Sequence, residues 1–339
     1  MEKAKAHTMF CGMTELSVLD LVPVREGGTL SEAYEAAAGL ARVAEEAGYK
    51  RFWVAEHHAM EGIGGAATSV VLAHIGHATS TIRIGSGGIM LPNHNPFVIA
   101  EQFGTLDALF PGRIDLGLGR APGADGRIRQ AFRKDLMKAA GDFPQDVMEL
   151  AAYFSGQEDI SLRPNPGFGA DIEMWALGSS LYGAQLAAAL GLPYAFAAHF
   201  APDHLDDALA IYRRDFKPLE RLDKPHVMVA MNVFAAEEAD EAERLASSQL
   251  QSFVRLRTGS PGKLPPPVDG YRESLGPMER RIVEHVSLAS AVGTPDMVRE
   301  KIGDFVKRTQ ADEIIVAGAT YEPQARETSL RLTAEALAS

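Results

Sequence analysis

The sequence predicts an α/β chain folded as one (β/α)8 (TIM) barrel with insertions, and three observations carry that reading. Short apolar runs alternate with segments of helical period, eight such runs occur, and neither a linker nor an internal repeat divides the chain. The runs begin near Leu16-Ser17-Val18-Leu19, Phe52-Trp53-Val54-Ala55, Ile82-Arg83-Ile84-Gly85, Ile114-Asp115-Leu116, Met174-Trp175-Ala176-Leu177, Tyr194-Ala195-Phe196-Ala197, Val227-Met228-Val229-Ala230 and Glu313-Ile314-Ile315-Val316. Strands this apolar suit a buried parallel sheet whose crossovers are helices. The first crossover helix is marked at both ends. Thr29 and Glu32 stand at capping-box spacing, the apolar face runs through Ala33, Ala36, Leu40, Val43, Ala44 and Ala47, and Gly48 stops it.

Two regions break the rhythm, roughly 124–171 and 258–285. The first is a helical stretch expected to be interrupted at Asp142-Phe143-Pro144 and to end in Pro164-Asn165-Pro166-Gly167. The second holds Pro265-Pro266-Pro267 and several glycines, and reads as a surface excursion or a lid. Both belong to a single domain spanning 1–339.

With 339 residues, 46% hydrophobic and 23% charged, the composition is that of a soluble globular protein and excludes disordered and fibrous classes. A net charge of −12 without basic stripes argues against nucleic acid and anionic membranes as partners. Cys11 is the only cysteine, which rules out an intrachain disulfide and a cysteine-based metal cluster and fits a reducing compartment. With no leader-like start and no apolar run long enough to span a bilayer, a cytoplasmic location is expected.

A barrel of this kind builds its site from the C-terminal ends of the strands, so polar residues just after each run carry most weight. After the second run come Glu56-His57-His58. Adjacent residues there point in opposite directions, so one imidazole suits a base or donor at the mouth and the other suits packing against a helix. His74 and His77 are a helical turn apart but lack further ligands, so no metal is expected. After the third run, the glycines of Gly85-Ser86-Gly87-Gly88-Ile89-Met90 permit unusual backbone or a planar ligand lying flat.

The fourth run leads from Pro111-Gly112-Arg113 to Arg120-Ala121-Pro122-Gly123. Gly117 and Gly119 weaken that strand and so allow close approach, while Arg120 offers a fork of donors for a phosphate or carboxylate. Pro122 stands where a dinucleotide fingerprint needs its third glycine, so that reading fails. After the fifth run, Gly178-Ser179-Ser180-Leu181-Tyr182-Gly183 opens a helix whose N–H groups and hydroxyls suit an anion. Consecutive strands are neighbours in a barrel, so Arg120 and this helix start could serve one phosphate. Pairing of Arg120 with a structural acid, and Ser180 as a plain N-cap, are the competing readings.

Taken in order, Glu56-His57-His58, the loop from Gly85 to Asn95, Pro111 through Gly123, Leu177-Gly178-Ser179-Ser180 and Val292-Gly293-Thr294-Pro295 resemble the bacterial luciferase-like flavin monooxygenases. The match is to the single-chain, uncharacterised branch, and runs from Leu16 to Val316. The resemblance implies reduced FMN at the barrel mouth, supplied by a separate flavin reductase, with O2 as co-substrate and a small organic substrate such as a carbonyl compound. It places the family's catalytic histidine on His57, its phosphate-binding groups on Arg120, Ser179 and Ser180 with Gly183 closing the turn, and a non-prolyl cis peptide at Gly87-Gly88 under the flavin ring. Ser17, Glu56, Asn93 and Gly178 complete the expected cofactor-binding set, and Leu19, Met90 and Phe200 the expected substrate lining. Gly119 stands where the light-emitting members carry a reactive cysteine, so light emission is not implied. The resemblance also admits a deazaflavin-dependent dehydrogenase, or a flavin-binding protein without turnover, against which His57 speaks. A homodimer is expected.

Overall fold

The eight apolar runs become eight parallel strands that close on themselves. A computed structural model describes residues 14–120, 131–132, 135–219 and 221–338; Cys11 and the Ala121-Pro122-Gly123 end of the arginine loop lie outside them. The ring is formed by β1 (Glu15–Asp20), β2 (Arg51–Val54), β3 (Arg83–Met90), β4 (Ile114–Gly119), β5 (Glu173–Gly178), β6 (Tyr194–Phe196), β7 (Val227–Ala235) and β9 (Glu313–Ala317), with β9 returning to pair with β1. A further strand, β8 (Ser290–Gly293), lies outside the ring. It pairs with the second half of β7, from Asn232 to Ala235, whereas the first half pairs with β9. Sequence reading counted no strand between the seventh and eighth runs.

The helices of the described residues are α1 (Leu30–Glu46), α2 (Thr68–Ala78), α3 (Pro96–Leu109), α4 (Leu136–Ser155), α5 (Leu181–Ala189), α6 (Leu205–Asp215), α7 (Ala239–Arg257), α8 (Pro277–Ser287), α9 (Pro295–Thr309) and α10 (Pro323–Ala338). None is long and apolar enough to cross a membrane. The Thr29–Glu32 capping box forms as expected at the start of α1, and small residues such as Ala37, Ala41 and Ala44 let that helix bury a face against the barrel. The expected interruption at Pro144 does not occur, because α4 runs through it. The buried face made by Phe143, Val147 and Leu150 continues past the proline and offsets the missing backbone bond.

Alternation along the strands divides the core in two. Leu19, Trp53, Trp175, Met228, Ala230 and Ile315 pack inside the barrel, while a larger set that includes Phe52, Ile84, Phe103 and Tyr194 packs between strands and helices. Below the inner apolar layer lies a buried ionic floor. Arg51, 2% exposed, reaches Asp115 Oδ2 at 2.9 Å and Glu313 Oε1 at 3.1 Å, and Arg83 Nε reaches Asp115 Oδ1 at 2.8 Å. Trp53 Nε1 donates to Asp115 Oδ2 at 2.9 Å. Charges this deep persist only because each is paired and hydrogen-bonded.

The segment expected as an excursion begins after α7 and ends in α8, and it is pinned to the mouth rather than free. Leu264 is buried, its N–H donates to Val24 O at 2.9 Å, and its carbonyl accepts from Glu26 N at 2.8 Å. A side chain on Gly62 would lie 2.2 Å from Gly262 O, so the strap rests directly on the loop after β2.

Candidate active site

Glu56 organises the mouth between β2 and β3. It is 1% exposed, and its Oε1 accepts from His58 Nε2 and, at 2.8 Å, from His94 Nε2, while Oε2 accepts the Met90 N–H at 3.0 Å. Burial alone would raise this carboxyl, but hydrogen bonds from His58 and His94, the His94 charge and the Met90 N–H bring it down to about 2. Both oxygens are thus engaged within the protein, and Glu56 ties the end of β2 to β3 and the loop after it. The donor atoms of Glu56, His58 and His94 lie within 4.8 Å of one another, a grouping that could also hold a metal ion.

The two adjacent imidazoles have separate surroundings. His58 bonds Glu56 and packs edge-on to Phe132, with ring centroids 4.9 Å apart. His57 keeps a buried Nδ1 without a hydrogen-bond partner among the described residues. Burial lowers its affinity for a proton; the Glu56 charge works against that, and His58 adds to it.

The inner wall contributed by β3 and β4 is built of glycine. The Gly87-Gly88 peptide is cis. A Cβ on Gly88 would lie 2.6 Å from Gly117 O, and one on Gly117 would lie 2.2 Å from Ser86 O and 2.6 Å from Leu177 Cδ1. These glycines therefore let strands pack closely. Gly119 differs, since among the described residues its Cβ would meet only Ile89 O at 3.8 Å. Beyond them, Asn93 keeps both its Oδ1 and Nδ2 buried and without partners among the described residues.

Arg120 and the start of α5 come together. The guanidinium carbon lies 4.0 Å from the Tyr182 ring centroid, and among the described residues no carboxylate pairs with Arg120. Ser180 takes the N-cap position of α5, and among the described residues its side chain makes no capping bond. A Cβ on Gly178 would just touch Gly183 Cα, at 3.7 Å, so these two positions keep the space beside the helix start clear.

Ser17 is not brought to this group. It is fully buried and its Oγ donates to Glu313 in the ionic floor, because its place early in β1 puts it at the opposite end of the strand from the mouth. Leu19 packs inside the barrel beneath Gly87, Met90 meets the site through its backbone, and Phe200 lies under Arg257, whose guanidinium carbon is 4.8 Å from its ring centroid.

Sequence reasoning missed His199 and Asn232. His199 follows β6, its Nδ1 is buried without a partner among the described residues, and burial together with His57 pushes its pKa down to about 4. Asn232 Nδ2 donates to the His199 carbonyl at 2.9 Å, while Asn232 Oδ1 accepts from Gln249 Nε2 at 2.6 Å. The available signal was a histidine just after the sixth apolar run.

A closed parallel barrel with unpartnered polar atoms of His57, Asn93 and His199 following β2, β3 and β6 is a (β/α)8 fold that presents polar groups at its strand ends. The chain belongs to the luciferase-like monooxygenase family, whose description "Luciferase-like monooxygenase" matches residues 14–313. It is 50% identical over 317 residues to a luciferase-like monooxygenase of Escherichia coli K12, covering 93% of this chain and 95% of that one. Among solved structures, apo-MsnO8 superposes with a TM-score of 0.85 at 33% identity, over 96% of this chain and 98% of that one. The oxygenating constituent of 3,6-diketocamphane monooxygenase from Pseudomonas putida, solved with FMN, shares the fold at a TM-score of 0.72 and 19% identity, over 95% and 97%. The chain is thus an oxidoreductase of the monooxygenase type, in a family of flavin-dependent enzymes.

Proposed function

We propose that the chain is the oxygenating component of a two-component monooxygenase: it takes reduced FMN from a separate flavin reductase and uses O2 to oxidise a small organic substrate, in the first instance a carbonyl compound. The observation that carries this reading is Arg120, held over Tyr182 beside the start of α5 with no carboxylate partner among the described residues. The donor set fits the phosphate of FMN, with a permanent cation on one side and helix N–H groups with Ser179 and Ser180 on the other. The bare Gly119 backbone and the unpartnered amide of Asn93 suit a planar ring that needs both a donor and an acceptor at its edge.

Bound reduced FMN supplies the electrons with which dioxygen is activated. The protein's own tasks are different. Arg120, Ser179 and Ser180 anchor the phosphate, the Gly87-Gly88 segment supports the ring, and Glu56 holds that segment through Met90. His57 accepts a proton on a ring nitrogen and returns it, from an imidazole whose proton affinity burial lowers. The apolar inner wall around Leu19 keeps water from the reacting atoms.

The deciding experiment mixes the protein with reduced FMN in aerated buffer and follows flavin reoxidation. A rate well below that of free reduced FMN supports the reading, and an unchanged rate overturns it. Substituting a reduced deazaflavin tests the dehydrogenase alternative.

A cytoplasmic homodimer is part of the proposal. The consecutive helices α2 and α3 leave Val70 68% and Val98 45% exposed. Sedimentation of Val70→Glu combined with Val98→Glu is expected to give a monomer where the parent chain gives a dimer.

A further inference from the structure

Three metal-ligating side chains converge on one point between the end of β2 and the loop after β3. Glu56 Oε1 accepts from His58 Nε2 and, at 2.8 Å, from His94 Nε2, and the three donor atoms lie within 4.8 Å of one another. The two rings are tilted by 46° with centroids 6.4 Å apart, so they reach that oxygen from different directions and are not stacked. The other oxygen is fixed separately, because Oε2 accepts the Met90 N–H at 3.0 Å. A carboxylate held in this way by an outer hydrogen bond keeps its free edge aimed, as the ligands of metal sites require. Glu56 is buried, whereas the His58 and His94 side chains are 18% and 28% exposed, so an ion can reach them from solvent. Among the described residues Glu15, His226 and Glu313, at the other end of the barrel, bring together the same donor types. There the carboxylates already have cations: Lys50 Nζ bonds Glu15 and lies 3.9 Å from Glu313, and Arg51 Nε lies 3.1 Å from Glu313. No lysine or arginine pairs with Glu56 among the described residues, so no fixed cation competes for its charge.

We propose that Glu56, His58 and His94 bind one divalent transition-metal ion of the zinc class, which clamps the end of β2 to the loop after β3. Two imidazoles with one carboxylate favour such ions over magnesium and calcium, whose preferred ligands are all oxygen. Three protein donors leave at least one coordination position for water. For the ion to enter, each Nε2 gives up the proton it donates to Oε1. That proton goes to Nδ1 of a neutral ring, or to solvent from a charged one. Oε2 stays with Met90, so the ion adds a tie between two loops that already meet. The ligands come from two loops and not from one helix, which is why spacing along the chain does not reveal them. The clamp needs no flavin and stands apart from the monooxygenase reading.

The test adds Zn2+ to the full chain, freed of metal and flavin, and follows binding by calorimetry. One ion per chain is expected. His58→Gln and His94→Gln should each weaken binding by roughly 100-fold or more, beyond the 10–100-fold that an outer hydrogen-bond partner of a metal ligand contributes. Glutamine suits the purpose because its amide can still donate to Glu56 Oε1 while offering no imidazole. His226→Gln should leave the affinity unchanged. A parent chain that binds no Zn2+ overturns the proposal, as does an affinity that His226→Gln lowers and the other two variants do not. Should the variants fail to fold, X-ray absorption of the zinc-loaded parent decides alone: two imidazoles on the ion support the site, and fewer than two overturn it. Amide hydrogen exchange at Met90 should slow when Zn2+ is bound, and an unchanged rate with the ion in place overturns the clamp.

Discussion

Arg120 lies over the ring of Tyr182, its guanidinium carbon 4.0 Å from the ring centroid, which couples the end of β4 to the first turn of α5. A cation–π contact at an exposed site stabilises by only about 0.5–1 kcal/mol. Its effect is to aim the guanidinium, so that the charge and the helix N-terminus address one volume.

Loss of that charge should therefore be felt by phosphate alone. Arg120→Ala is expected to weaken FMN binding by roughly 10–100-fold, the range for a charge-assisted hydrogen bond of about 1.5–3 kcal/mol. Riboflavin affinity should change by no more than a few-fold. Fluorescence titration with both ligands checks this, and equal losses would show Arg120 to be structural. Arg120→Lys should fall between the two, because an ammonium keeps the charge without the planar fork.

His57→Ala separates chemistry from binding. Flavin affinity should remain within a few-fold of the parent, while the rate of product formation falls by on the order of 10²-fold, the usual contribution of a positioned proton acceptor. Product measured per reduced FMN consumed is the readout. Unchanged coupling would direct attention to His58.

Acid should loosen the barrel at both ends of β3. Glu45 and Glu56 both have pKa values brought from 4.5 down to about 2. For Glu45, burial acts upward and is outweighed by hydrogen bonds from the Thr81, Ile82 and Ser80 N–H groups and the Thr81 hydroxyl. A carboxyl with a depressed folded value contributes stability that is fully present above the unfolded value and is lost as pH falls through the folded one. Thermal melts should hold steady above about pH 5 and decline from there toward pH 2. In Glu56→Gln that decline should be shallower, on a protein already less stable by about 1–3 kcal/mol.

The ionic floor should matter for stability and not for the flavin. Arg51→Met leaves Asp115 and Glu313 buried without their shared cation, and breaking a buried pair from one side costs about 3–5 kcal/mol. Urea unfolding should show that loss, while FMN affinity of the folded fraction stays unchanged. A selective loss of FMN binding would place the floor within the site.

Particular residues show how much was legible in the sequence. The Arg120 loop and the Gly178–Gly183 helix start were readable because each is a local pattern, and ring order makes consecutive strand ends neighbours. Ser17 was misplaced because a match in sequence does not say at which end of a strand a side chain sits, and its hydroxyl turned out to bond Glu313. Glu56 was read as a cofactor contact, and what the sequence did not show is that its carboxylate accepts from His58, His94 and Met90, of which the last two come from another strand and its loop.

The sequence by itself determined the eight strands of the ring and the start of α1, because apolar runs and caps are written within a few consecutive residues. Tertiary structure alone decided that α4 continues through Pro144, that β8 adds to the second half of β7, and that His199 stands across the mouth from His57. The physical reason is ring closure. It brings together residues far apart in the chain, and whether a buried polar atom finds a partner or is left for a ligand depends on what arrives from the other side.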